Sequence, residues 1–185
     1  MRWEIVLRTE EQQFECLIRF NEEQMIRTIW RIVRDPEDAK DALQEALATI
    51  WKRFRRVNGH ANPRALILRI CINAAYDVMR RRARRIGDAD AGMAADCAPD
   101  PADPIRDRLA RQEQQEEILR AIRRLSSKQA QAVLLRILHG ESYAVIGEAL
   151  GCTEATARTH VKRARSCLAK QLSHLTQNRI KEESR

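Results

Sequence analysis

Arg158, Thr159, Lys162, Arg163 and Ser166 fall at i, i+1, i+4, i+5 and i+8, the spacing that gathers side chains on one side of an α-helix. The set holds two guanidiniums, one ammonium and two hydroxyls, with no carboxylate among them. Donors of this kind grip phosphate oxygens and reach base edges in a DNA groove. A solvated helix face is the commoner fate of a charge run, and what surrounds this one favours DNA contact.

The surrounding residues describe how that face is held. Ala157, Val161, Ala164 and Leu168 fall at i, i+4, i+7 and i+11 on the same helix, an apolar stripe that packs against a neighbour. Upstream, Ser142 can cap a short helix carrying Val145, Ile146, Ala149 and Leu150. Gly151 suits the left-handed end of that helix, and Thr153 can cap the next. Two helices joined this tightly form a helix-turn-helix, which presents its second helix to the major groove.

Composition agrees with a nucleic-acid partner. The 185 residues carry a net charge of +8, 44% hydrophobic residues and only 4% aromatic. Residues 1–85 hold 18 basic against 12 acidic side chains, residues 86–107 hold 1 against 6, and residues 108–185 hold 15 against 8. Two basic blocks therefore flank an acidic one. The five cysteines are odd in number and form no CxxC, and the four histidines lack ligand spacing. A disulfide framework, a metal site and any other cofactor are not expected. The charged start lacks a signal-peptide pattern, and the apolar run near Ala65–Ile72 is broken by Arg69. We expect a cytoplasmic protein with no membrane insertion.

Helical periodicity runs along the whole chain. Residues 10–33 carry Phe14, Leu17, Ile18, Met25, Ile29 and Val33 as apolar positions. Asp35-Pro36 starts a second helix to about Phe54, with Ala39, Leu43, Ala46, Leu47, Ile50, Trp51 and Phe54 inward and Asp38, Asp41, Gln44, Glu45 and Thr49 outward. Asn62-Pro63 opens a third to about Arg85, with Leu66, Ile70, Ala74 and Val78 as its stripe and Arg69, Asn73, Asp77 and Arg80 on another face. It ends in five arginines between Arg80 and Arg85, more than helix-dipole compensation requires. Residues 86–107, rich in Asp, Ala and Pro, read as a flexible linker. Helix resumes near Ile105, and Ser126 with Gln129 resembles a capping box for the helix before the helix-turn-helix. The expected fold is all-α: two small helical domains at 10–85 and 108–175, the acidic linker 86–107, and a polar tail 176–185.

This order of motifs resembles the extracytoplasmic-function (ECF) group of the sigma-70 family of bacterial RNA polymerase sigma factors. DPEDAKDALQEALATIWKRF is similar to the family's region 2.2, NPRALILRICINAAYDVMRRRAR to regions 2.3 and 2.4, and LSSKQAQAVLLRILHGESYAVIGEALGCTEATARTHVKRARSCL to region 4. The resemblance implies an alternative sigma factor, not an enzyme, that binds core polymerase and directs promoter-specific initiation. Asp41, Gln44 and Glu45 match the motif that meets the beta-prime clamp helices. Asn73, Asp77 and Arg80 match minus-ten positions, Arg69 shares their helix face and is expected to join them, and the Arg55–Asn62 segment would hold a flipped-out base. Arg158, Thr159, Lys162 and Arg163 match positions that face the minus-thirty-five element; Arg165 lies away from their centre and is expected to meet phosphate there or to pack as part of the R-A-R end. An anti-sigma factor is a further candidate partner.

Three positions depart from the family pattern. Leu66 stands where Trp is usual, Ser126-Ser127 replaces a common Leu-Pro, and Gly147 replaces a small Ala. The alternative reading is a helix-turn-helix regulator acting on operators without polymerase, but residues 1–85 offer no receiver or ligand-binding pattern. A partner-only adaptor is disfavoured by the two basic faces. An enzyme is disfavoured by the absence of a G-x-S-x-G, HExxH or phosphate-loop motif.

Overall fold

The computed structural model describes residues 9–86, 105–173 and 175. The expected linker and tail fall largely outside these, at 87–104 and 176–185. The described residues form helices α1 (Glu10–Ile32), α2 (Pro36–Lys52), α3 (Phe54–Asn58), α4 (Pro63–Ile86), α5 (Ile105–Arg123), α6 (Ser127–His139), α7 (Tyr143–Leu150) and α8 (Glu154–Gln171), with no strand among them.

Local chemistry sets most of the boundaries. The Asp35 carboxylate accepts from the amides of Glu37 (3.0 Å) and Asp38 (3.1 Å), and Pro36 occupies the first helical position of α2. The Asp38 amide, chiefly, holds the Asp35 carboxyl below its ordinary pKa. Ser142 caps α7 and Thr153 caps α8 in the same manner, each accepting an amide at 3.2 Å. Ser126 stands at the α6 N-cap in extended conformation but makes no side-chain cap bond, so the capping box expected there does not form.

The second helix stops two residues short of Phe54. Arg53 leaves helical geometry (φ −115°, ψ 21°), and α3 restarts at Phe54, so half of the expected 55–62 loop is helical. Trp51, within the unbroken part of α2, lies beside the buried line and not on it. Expected on the inner stripe, it is 45% exposed, edge-on to Phe14 (4.9 Å between centroids) and stacked near Phe54 (6.4 Å). The inward line of α2 is instead Ala39, Ala42, Ala46 and Ile50, and its three alanines let α2 lie close along α4.

α4 is the central strut. Its expected stripe of Leu66, Ile70, Ala74 and Val78 is buried, and so are Ala65, Ile67, Leu68, Cys71, Ile72, Ala75, Tyr76 and Met79. A helix apolar on so many sides needs cover from more than one direction. α1 and α2 cover one side, and α6 and α7 of the second unit cover another. Leu66, at the usual Trp position, is simply part of this core. Cys71 is fully enclosed, and burial pushes its thiol up to about 12.

α6, α7 and α8 make a compact trio. Ala157, Val161 and Ala164 are buried and Leu168 half-buried, as the stripe requires. The turn between α7 and α8 depends on two glycines. Gly151 adopts φ +66°, and a Cβ on Gly147 would lie 2.8 Å from the Cys152 carbonyl oxygen. The departure from Ala at 147 therefore tightens the turn and draws the two helices together.

Candidate nucleic-acid and protein interfaces

α8 presents its basic face as its periodicity requires. Arg158, Thr159, Lys162, Arg163, Arg165 and Ser166 are all exposed. Arg158 is not free to swing. Its guanidinium is 2.7 Å from the Glu154 carboxylate and 5.1 Å from the Tyr143 ring centroid. Arg136 approaches the same ring at 5.0 Å, so Tyr143 lies between two guanidiniums. Each cation–π contact contributes about 0.5–1 kcal/mol at an exposed site. Their joint effect is to fix Arg158 relative to α6. The Thr159 hydroxyl donates to the Ala155 carbonyl (2.9 Å) and keeps its lone pairs for an incoming donor.

On α2, Asp41 and Gln44 are exposed. Glu45 is half-buried and pairs with Arg81 at 2.5 Å. Next to it, Arg82 reaches Asp38 (2.7 Å) and Asp35 (3.1 Å), and the Asp38 hydrogen bond raises the guanidinium's pKa. Part of the arginine run that closes α4 thus serves to hold α4 against the acidic start of α2. That is the requirement beyond dipole compensation.

The remaining expected set, on α4, behaves differently. Arg80 is exposed, over the Tyr76 ring at 5.8 Å. Asp77 accepts from Asn73 Nδ2 (2.9 Å). Asn73 Oδ1 accepts in turn from Gln131 Nε2 (2.7 Å) and, more weakly, Ser127 Oγ (3.4 Å), both on α6. Arg69 donates from Nη1 to the Ala149 carbonyl of α7 at 2.5 Å. Burial, then the neighbouring Arg53 and Arg56, hold its pKa below the ordinary arginine value. In the segment after α3, Asn62 donates to the Glu148 carboxylate, and His60 lies 3.3 Å from the Glu148 carbonyl.

Two further residues at this junction escaped sequence reading. The Tyr76 hydroxyl sits among the carbonyls of Leu125 (2.5 Å), Arg123 (3.0 Å) and Ile122 (3.3 Å), and its single proton can go to one of these acceptors at the end of α5. Its sequence signal was a lone phenol in an Ile/Ala-rich helix. His139 Nε2 lies 3.1 Å from the Thr28 hydroxyl of α1. Thr28 Oγ1 itself donates to the Gln24 carbonyl at 2.5 Å, so the imidazole must be the donor in the pair.

His139 supplies a pH test. Burial first, then Arg64 of α4 and Arg31 of α1, lower its pKa from 6.5 to about 4. Glu141, 3.7 Å from Arg64, is the facing carboxylate. The folded form resists a proton that the unfolded chain accepts. The stabilisation is complete above about pH 6.5, falls as pH drops toward 4, and levels off below. The thermal midpoint is therefore expected to fall more between pH 7 and pH 5 in the native chain than in His139→Gln. Equal losses in both would remove His139 from this role.

The family model described as Sigma-70 region 2 matches residues 17–85, and the one described as Sigma-70, region 4 matches residues 115–168. The ECF RNA polymerase sigma factor SigM of Mycobacterium tuberculosis is 31% identical over 163 residues, covering 88% of this chain and 78% of the relative. The chain belongs to the ECF group of the sigma-70 family. The RNA polymerase sigma-H factor of Pseudomonas aeruginosa is 26% identical over 178 residues, covering 93% of this chain and 92% of that protein. Among solved structures, the sigma factor RpoE from Bartonella quintana, in its complex with the anti-sigma factor NepR, shares the fold. Its TM-score is 0.55 at 22% identity, over 88% of this chain and 98% of that one. An ECF sigma factor is a transcription-initiation factor and not an enzyme. Among the described residues no helix is long and apolar enough to cross a membrane.

Proposed function

We propose that the chain binds core RNA polymerase through the outward face of α2 and directs it to promoters read at two elements. The observation that carries this is one chain holding both surfaces: a basic face of Arg158, Thr159, Lys162 and Arg163 on a tightly built helix-turn-helix, and an outward Asp41–Gln44–Glu45 row on a separate helix unit. The row would meet the beta-prime clamp helices in the cytoplasm. Arg158, Thr159, Lys162, Arg163 and Arg165 would meet the minus-thirty-five element. Arg69, Asn73, Asp77 and Arg80 would meet the minus-ten strand. The division into domains at 10–85 and 108–175, with the acidic segment 86–107 between, is supported by the two matched spans. An anti-sigma factor is a third partner class, as the Bartonella complex has one.

The test is transcription by core polymerase on a genomic promoter pool. Discrete start sites that require both the chain and core polymerase are expected. Tight operator binding without polymerase, and no start sites with it, would favour the helix-turn-helix regulator instead.

A further inference from the structure

The recognition helix α8 contains a single acid, Glu154, at its first position. Its side chain is exposed and its backbone is fixed from two directions. Thr153 caps the helix immediately before it, and a Cβ on Gly147 would lie 3.2 Å from the Glu154 amide nitrogen, so α8 begins directly on α7. The carboxylate accepts from Arg158 Nη2 at 2.7 Å. That guanidinium lies over Tyr143, whose ring also meets Arg136. Arg136 is anchored in turn, donating to the carbonyls of Glu141 (2.8 Å) and Gly140 (3.3 Å) beyond the end of α6. A line of contacts thus runs from α6 through Tyr143 and Arg158 to the Glu154 carboxylate. An acid in the first turn suits the helix dipole, and an i,i+4 pair adds a little helix stability. Neither effect needs the aromatic brace. On a helix that lies between two lines of phosphate, an acid also weakens binding unless it meets a donor.

We propose that Glu154 is a specificity-determining residue: with Arg158 it reads one C·G pair of the upstream element, its carboxylate accepting from the cytosine N4 amino group while Arg158 donates to the guanine. Placement of α8 in the groove rests on the reading given under Proposed function. Recognition helices of this motif meet base edges with their N-terminal residues, which is where Glu154 stands. The major groove offers a carboxylate two kinds of donor, the amino groups of cytosine and adenine. Adenine N6 has the N7 acceptor beside it, which repels the second carboxylate oxygen, whereas cytosine N4 has only a C–H beside it on its own base. Across the pair, guanine presents O6 and N7 together and thymine presents O4 alone, so the guanidinium favours guanine. Arg158 keeps N–H donors for that contact after pairing with Glu154. Guanine or thymine in the cytosine's place would set O6 or O4 against the carboxylate and be rejected. The Tyr143 brace sharpens the choice, because an Arg158 free to swing would follow a changed base.

The experiment measures binding of holoenzyme, native and variant, to a promoter from an identified start site with its upstream element randomised. Native holoenzyme should favour C·G at one position roughly tenfold over the other pairs. Glu154→Ala should cut that preference about fivefold at this position alone, chiefly by raising affinity for the rejected pairs. Glu154→Gln, whose amide fits adenine N6 and N7, should move the preference at the same position toward A·T. Where the Ala variant loses helix content, the Gln variant decides, since it keeps the size of the side chain. Variants that bind every library member more tightly with an unchanged base profile would overturn the proposal and leave Glu154 as a charge that repels phosphate. Arg163→Ala separates this from the underlying reading. A profile that changes with Arg163→Ala and with neither Glu154 variant sinks the Glu154 assignment alone. A holoenzyme with no upstream preference in any form sinks the minus-thirty-five assignment and this one with it.

Discussion

A chain carrying Gln44→Ala and Glu45→Lys is expected to bind core polymerase roughly thirtyfold more weakly, the effect of losing about 2 kcal/mol from the centre of a protein interface. Gln44 projects outward and removes no packing when shortened. Glu45 needs a control, because its carboxylate also holds Arg81 at 2.5 Å. Both members of that pair are over two-fifths exposed, so the pair itself contributes at most about 1 kcal/mol to stability. Arg81→Ala breaks the same contact and leaves the acid in place. It should bind polymerase as the native chain does. Equal weakening by Arg81→Ala would mean that Glu45 acts by holding α4, and the α2 row would lose its assignment.

The second large effect separates base reading from phosphate contact on α8. Thr159 is near the centre of the exposed face and Arg163 lies one turn further on, whereas Arg165 flanks the buried Val161–Ala164 side. Arg163→Ala in holoenzyme should cost ~1–3 kcal/mol on the preferred promoter and relax discrimination at one upstream base pair. Arg165→Ala should weaken every promoter alike and lower the salt slope by about one. Arg158, braced by Glu154 and Tyr143, is the least free to adapt to a changed base. Affinity lost equally across promoter variants in Arg163→Ala would remove it from base reading and leave it a phosphate contact.

Most of the fold was legible because its boundaries are set by local chemistry. Asp35-Pro36, Ser142, Gly151 and Thr153 act within a few residues of themselves, and all four do what their types suggest. Trp51 was misread because the large apolar residues Leu43, Leu47 and Trp51 drew the expected stripe toward themselves, whereas the buried line is centred on Ala39, Ala42, Ala46 and Ile50 and leaves them at its edge. The seam between the units was invisible for a different reason. Asn73, Gln131, His60 and Glu148 are polar, and a polar residue on a helix face reads as solvent-exposed whether it meets water or another amide. Arg69 and Asn73 were placed on one face by helical spacing, and Asn73 also by resemblance to a family, neither of which says which neighbour that face meets.

The enclosed Cys71 has a consequence for anyone wishing to label or oxidise this protein. A thiol with its pKa near 12 is ionised in roughly one molecule in a hundred thousand at neutral pH, and the thiolate is the form that attacks maleimides, peroxides and disulfides. Among the described cysteines, Cys16, Cys152 and Cys167 are partly accessible and would take up such reagents first. Cys152 lies in the turn that carries α8, against the Gly147 backbone through its own amide (2.9 Å). An adduct there would report on the turn that aims the recognition helix, while the thiol in α4 stays silent until the helices around it come apart.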